Sequence, residues 1–122
     1  MENQENQVNE LTQAVINMAV ESWRFTKVFT RAISKLDAGE KSRYVSQYRW
    51  FMKKNEETLA KFGITLVNME GAKFDPGAAV NALNIADFSP DDTLIIEQMI
   101  EPIIMGKDGL LHAGTVILRR SD

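Results

Sequence analysis

The sequence holds no cysteine, one histidine and three prolines in 122 residues. Without cysteine there is no disulfide framework, no thiolate nucleophile and no zinc–thiolate site. The one histidine, His112, lies in a β-rich run, where a lone imidazole reads as a packed or surface residue and not as a catalyst or ligand. Long apolar runs are also missing. Stretches such as Leu94-Ile95-Ile96 fall far short of the roughly 20 residues that span a bilayer, and the start Met1-Glu2-Asn3-Gln4-Glu5-Asn6-Gln7 lacks a charged-then-apolar export signal. The expectation is a cytoplasmic protein with no membrane contact. No glycine-rich phosphate loop is present. An enzyme would need a nucleophile with a base, a carboxylate pair in a cleft or a metal cluster. Asp91 and Asp92 are adjacent and point apart in extended chain, while Glu97 and Glu101, read on one strand face, stand about 13 Å apart. No catalytic residue, metal or cofactor is expected.

What is present is an ordinary globular composition, 44% hydrophobic and 25% charged. The chain is long enough for one domain or two small subdomains. The net charge of −3 is unevenly spread. Residues 1–39 carry 4 basic and 5 acidic groups, residues 40–62 carry 6 and 3, and residues 63–122 carry 4 and 9. An acidic C-terminal part argues against a phosphate-tracking surface there. The basic stretch Lys41 to Lys61 reads as the solvated face of a helix, and no nucleic-acid partner is expected.

Apolar residues recur at Val8, Leu11, Val15, Met18, Phe25, Phe29, Ala32 and Leu36, with Ser22 filling one slot. The alternating spacings of three and four predict a helix with a heptad seam over residues 8–36, about 43 Å long. Ala14, Val28 and Ile33 widen the stripe toward what a multi-helix bundle needs. The segment Leu36-Asp37-Ala38-Gly39-Glu40 breaks the pattern with a glycine and a capping aspartate. Tyr44, Tyr48, Phe51, Leu59 and Phe62 then resume helical spacing up to a glycine cap at Gly63. Such a hairpin leaves apolar surface uncovered, and two copies related by a two-fold axis would bury it in a four-helix bundle. The expected dimer interface comprises Val8, Leu11, Val15, Met18, Phe25, Phe29, Leu36, Tyr48 and Phe51. The aromatic residues Trp23, Tyr44, Tyr48, Trp50 and Phe51 are read mainly as core of that bundle, with Trp23 and Trp50 lying off the main seams.

Beyond Gly63 the helical period disappears. Ile64-Thr65-Leu66-Val67 is a short β-rich run, and Asp75-Pro76-Gly77-Ala78 carries the residues of a type II turn. Asp75 is expected to bond the backbone of its own turn, and Ser89-Pro90-Asp91-Asp92 suits a type I turn. Thr93 to Met105 and Leu110 to Arg120 read as long strands joined by the four-residue loop Gly106-Lys107-Asp108-Gly109. Pro102 predicts an edge or a bend in the first of them. The fold class is therefore α+β: a polar tail at 1–7, a helical dimerisation hairpin at 8–63 and a small β domain at 64–122.

Lys61-Phe62-Gly63-Ile64, then Phe74-Asp75-Pro76, then the paired strands ending in Thr115-Val116-Ile117-Leu118, resemble the GrpE family of nucleotide exchange factors for DnaK-type chaperones. The likeness runs from about Leu11 to Arg120 and lies in the order and spacing of elements. It implies a non-enzymatic homodimer whose β domain docks on the chaperone's ATPase domain, favours an open nucleotide cleft and speeds ADP release. The implied contact residues are Met99, Glu101, Pro102, His112 and Leu118. The chain departs from the family pattern at Ala79-Val80-Asn81-Ala82, at Ile100-Glu101-Pro102-Ile103, where Glu101 replaces a lysine, and at Leu111-His112-Ala113-Gly114. The long paired helices that precede the bundle in the family are nearly absent. The alternative is a GrpE-like dimeric adaptor without exchange activity, or one serving a specialised chaperone.

Overall fold

The computed structural model describes residues 2–121 and divides into two compact units, residues 1–57 and 58–122. Two helices make up most of the first. Helix α1 spans Glu2–Ile33 and α2 spans Ala38–Ala60. Six residues expected in a polar tail, Glu2–Gln7, are thus helical, and Met1 lies outside the described residues. Glu5 near the start of the helix suits the positive end of its dipole, and Asn and Gln are tolerated there. α1 ends three residues earlier than the apolar spacing predicts. The N–H of Lys35 and of Leu36 donate to Ala32 and Ile33, tightening the chain into a short turn.

Asp37 then starts α2. Its Oδ1 accepts the Glu40 N–H at 3.0 Å and its carbonyl accepts the Lys41 N–H at 2.9 Å, a helix cap with an acidic residue in the first turn. The other end is closed as the sequence predicts. Gly63 adopts φ 72°, its N–H bonds to Ala60, and the Ile64 N–H reaches back to Leu59. This pair of bonds satisfies the last carbonyls of α2 and needs a left-handed residue at position 63.

The second unit holds six strands: β1 (Thr65–Val67), β2 (Val80–Ala82), β3 (Leu94–Glu101), β4 (Ile103–Gly106), β5 (Gly109–His112) and β6 (Gly114–Arg120). They form two three-stranded sheets, ordered β1-β4-β5 and β2-β6-β3. The two long runs expected from the sequence are each broken once, at Pro102 and at Ala113, and each passes from one sheet to the other at its break. Pro102 has no N–H for a ladder, so the strand bends there. The turn between β4 and β5 is shorter than expected: Gly106 pairs with Gly109, which leaves two residues, Lys107 and Asp108, in the loop. β2 runs parallel to β6, and Asn84 prolongs that pairing with its side chain, its Oδ1 accepting the Leu118 N–H and its Nδ2 donating to the Leu118 carbonyl, both at 2.9 Å.

The turn at Asp75–Ala78 is not type II. That type needs positive φ at Gly77, and Gly77 does not have it. Asp75 accepts the Gly77 N–H with Oδ1 at 2.9 Å and the Ala78 N–H with its carbonyl at 2.9 Å, an aspartate turn satisfied without a left-handed glycine. The outer side of β3 is closed by residues 71–74: the Gly71 and Phe74 N–H groups donate to Ile96 and Leu94, and the Ile96 N–H donates to Ala72.

Two bulges interrupt the β3–β6 ladder, between Ile96 and Gln98 and between Met99 and Glu101. Each shifts the inward parity by one residue. Leu94, Ile96 and Met99 therefore all point inward, where they meet Val116 and Leu118 of β6 and Ile103 and Ile104 of β4 in the buried core. No buried side-chain nitrogen or oxygen among the described residues lacks a hydrogen-bond partner.

Candidate interaction surfaces

Helix α1 carries two apolar stripes, one residue out of phase. Ile16, Val20, Trp23, Thr26 and Ile33 are buried. The expected seam is the other stripe, and it is largely open: Val8, Leu11, Met18 and Phe25 are each 60% exposed or more, and Val15 is 39% exposed. A shift of one position turns about 100° around the helix, so the two stripes are adjacent faces. Thr26 tolerates burial because its hydroxyl donates to the Trp23 carbonyl at 2.6 Å.

The aromatic residues divide accordingly. Trp23 is buried with the Lys27 ammonium 5.2 Å from its ring, whereas Trp50 is 61% exposed. α2 contributes no buried residue at all. Tyr44 and Phe51, expected in the core of a bundle, are not covered within one chain, because a single hairpin has nothing to lay over that side of α2, and Trp50, which lies off the main seams, is exposed. Phe29 and Tyr44 meet edge to face at 6.3 Å, and Phe25 stacks on Phe29 at 6.2 Å. Beside them Phe25, Thr26, Phe29, Gln47, Tyr48, Trp50 and Phe51 line a groove of about 280 Å³. Of the remaining expected interface residues, Phe29, Leu36 and Tyr48 are half-buried.

In the β unit the five expected contact residues fall into two groups. Met99, Pro102 and Leu118 are fully buried core, so their side chains offer nothing to a partner. The Met99 sulfur accepts the Met69 N–H at 3.0 Å, which ties the loop after β1 to β3. The bulge between Ile96 and Gln98 that turns Met99 inward is invisible to a strict two-residue alternation. Glu101 and His112 are half-exposed, and they meet: His112 Nε2 lies 3.0 Å from Glu101 Oε1, which requires the proton on Nε2, and Thr115 donates to the same oxygen at 3.3 Å. The two positions that depart from the GrpE pattern thus form one pair across the bend between the sheets.

A second polar cluster closes the turn at Ser89–Asp92. The Asp92 carboxylate accepts the Ser89 N–H at 2.9 Å and the Arg120 Nε–H at 3.3 Å. The Ser89 N–H holds this carboxyl below the usual carboxylate range, with Arg120 acting in the same direction against a partial desolvation. Among the described residues no group of three or more histidine and carboxylate side chains is placed to hold a metal, and no helix is long and apolar enough to cross a membrane.

No family model, curated protein or solved structure matches the chain.

Proposed function

We propose that this chain is a GrpE-like, non-enzymatic homodimer that promotes ADP release from a DnaK-type chaperone by binding its ATPase domain through the β unit. The observation that carries the reading is the element order: a helical hairpin closed at Gly63, then two short sheets traversed by one long hairpin that bends at Pro102 and Ala113. It follows the order in which the quoted sequence motifs resemble that family. The open seam Val8–Phe25 is the surface a second copy would cover, giving the four-helix bundle. The contact with the chaperone is assigned to the half-exposed Glu101 and His112, with Met99, Pro102 and Leu118 supporting them from below.

Such a factor must bind the open nucleotide cleft better than the closed one, and a tenfold shift takes about 1.4 kcal/mol of difference. Stopped-flow release of a fluorescent ADP analogue from a DnaK-type chaperone tests this directly. Acceleration on adding the protein is the expected result. A stable dimer that leaves the rate unchanged on every cognate chaperone would refute exchange and support the second reading, a GrpE-like adaptor. The pairing of Glu101 with His112 favours that second reading, because it occupies the carboxylate that replaces the family's lysine.

A further inference from the structure

α1 has 32 residues and α2 has 23, so the N-terminal turns of α1 extend beyond the reach of an antiparallel α2. Residues 3–11 are exposed throughout, yet they carry Val8 and Leu11 on one face, 60% and 66% exposed. At the other end of the hairpin lies the open aromatic groove of Phe25, Phe29, Tyr48, Trp50 and Phe51. An apolar overhang without a neighbour and an apolar groove without an occupant sit at opposite ends of one helix pair.

The charges are divided in the same way. Residues 2–21 contain Glu2, Glu5, Glu10 and Glu21 and no basic residue, whereas residues 22–36 contain Arg24, Lys27, Arg31 and Lys35 and no acidic one. The first half of α2 adds Lys41, Arg43 and Arg49 to the basic end against one acidic residue, Glu40. Side-by-side parallel pairing of two copies would set basic end against basic end and acidic end against acidic end. Antiparallel pairing sets opposite charges together.

We infer that the N-terminal segment of α1 from one copy lies in the aromatic groove of a second copy, and reciprocally, so that the two α1 helices run antiparallel. Leu11 then faces the partner's Phe25 and Val8 faces the partner's Phe29, with Met18 near the two-fold axis. At both ends of the seam an aliphatic side chain is placed against a phenylalanine, where parallel pairing would stack Phe on Phe at one end and leave Val on Val at the other. The inference rests on the proposed function only for the existence of a second copy.

The absence of native cysteine makes disulfide mapping unambiguous. Leu11→Cys and Phe25→Cys each replace an exposed side chain, so neither should disturb the core. In the antiparallel seam the two copies of residue 11 stand about 21 Å apart, as do the two copies of residue 25, at about 1.5 Å per residue. A disulfide needs Cα atoms within about 7 Å. Mild oxidation of the full-length proteins should therefore cross-link a mixture of the two variants and neither variant alone. Cross-linking of each variant alone would establish a parallel dimer, overturning the inference and leaving the proposed function standing. A monomer in sedimentation, with no cross-link in any sample, would overturn both.

Discussion

Met99 shows how much a single residue's role depends on its neighbours. It sits at 0% exposure with its sulfur accepting a backbone N–H, and the bulge between Ile96 and Gln98 brings it inward. Met99→Ala should cost about 2–5 kcal/mol in chemical denaturation, the range for emptying a buried methionine site. Its effect on chaperone affinity should vanish once the folded fraction is accounted for. Glu101→Lys is the opposite case, because the half-exposed carboxylate bonds His112 and Thr115 across the bend. That variant should change chaperone affinity while leaving the sedimentation mass unchanged. Normal binding by it would move the contact surface elsewhere. Asp92 carries a pH signature: its carboxyl is held below the usual range by the Ser89 N–H. A depressed pKa contributes stability that is present above the unfolded-state pKa and is lost as pH falls through the folded-state value. Acid titration of Asp92→Asn, followed by circular dichroism, should show a shallower loss of stability on the acid side than the parent.

At the level of elements, the ends of α2 were legible because capping chemistry is local. Asp37, Glu40 and Gly63 can be read without knowing what the helices touch, since each acts within a turn of itself. Asp37→Ala should lower stability by about 1 kcal/mol, the usual worth of an N-cap, as measured by urea unfolding. The strand boundaries were harder. Pro102 announced a break, but Ala113 gives no such sign, and the change of sheet there is enforced by packing. A Cβ on Gly114 would stand 2.8 Å from Met99 Cε and 3.2 Å from the Glu101 carbonyl, so glycine lets β6 begin close to β3 without displacing either. The type II turn expected at Pro76-Gly77 was misread because glycine permits positive φ without requiring it. The aspartate bond to the Gly77 N–H was enough to choose otherwise.

The whole molecule is an α+β chain of two long helices followed by a small β unit of two sheets, as composition and periodicity suggested. α2 has no fully buried residue and the seam of α1 remains open, so one copy leaves Val8, Leu11, Met18, Phe25 and Trp50 exposed. Sedimentation at micromolar concentration should give twice the 13.8 kDa chain mass, and replacing Leu11 with aspartate should shift it toward the monomer.

The sequence by itself determined what depends on neighbours along the chain: helix periodicity, the caps at Asp37 and Gly63, the places where the β unit turns, and the bend at Pro102. These are set by dihedral preferences and by hydrogen bonds that close within a few residues. Tertiary structure alone decided which of the two apolar faces of α1 is covered, that Met99 and Leu118 belong to the core, and that Glu101 and His112 meet. Those outcomes depend on strand register and on the approach of distant segments, and a bulge of one residue is enough to reverse which side chain faces the core.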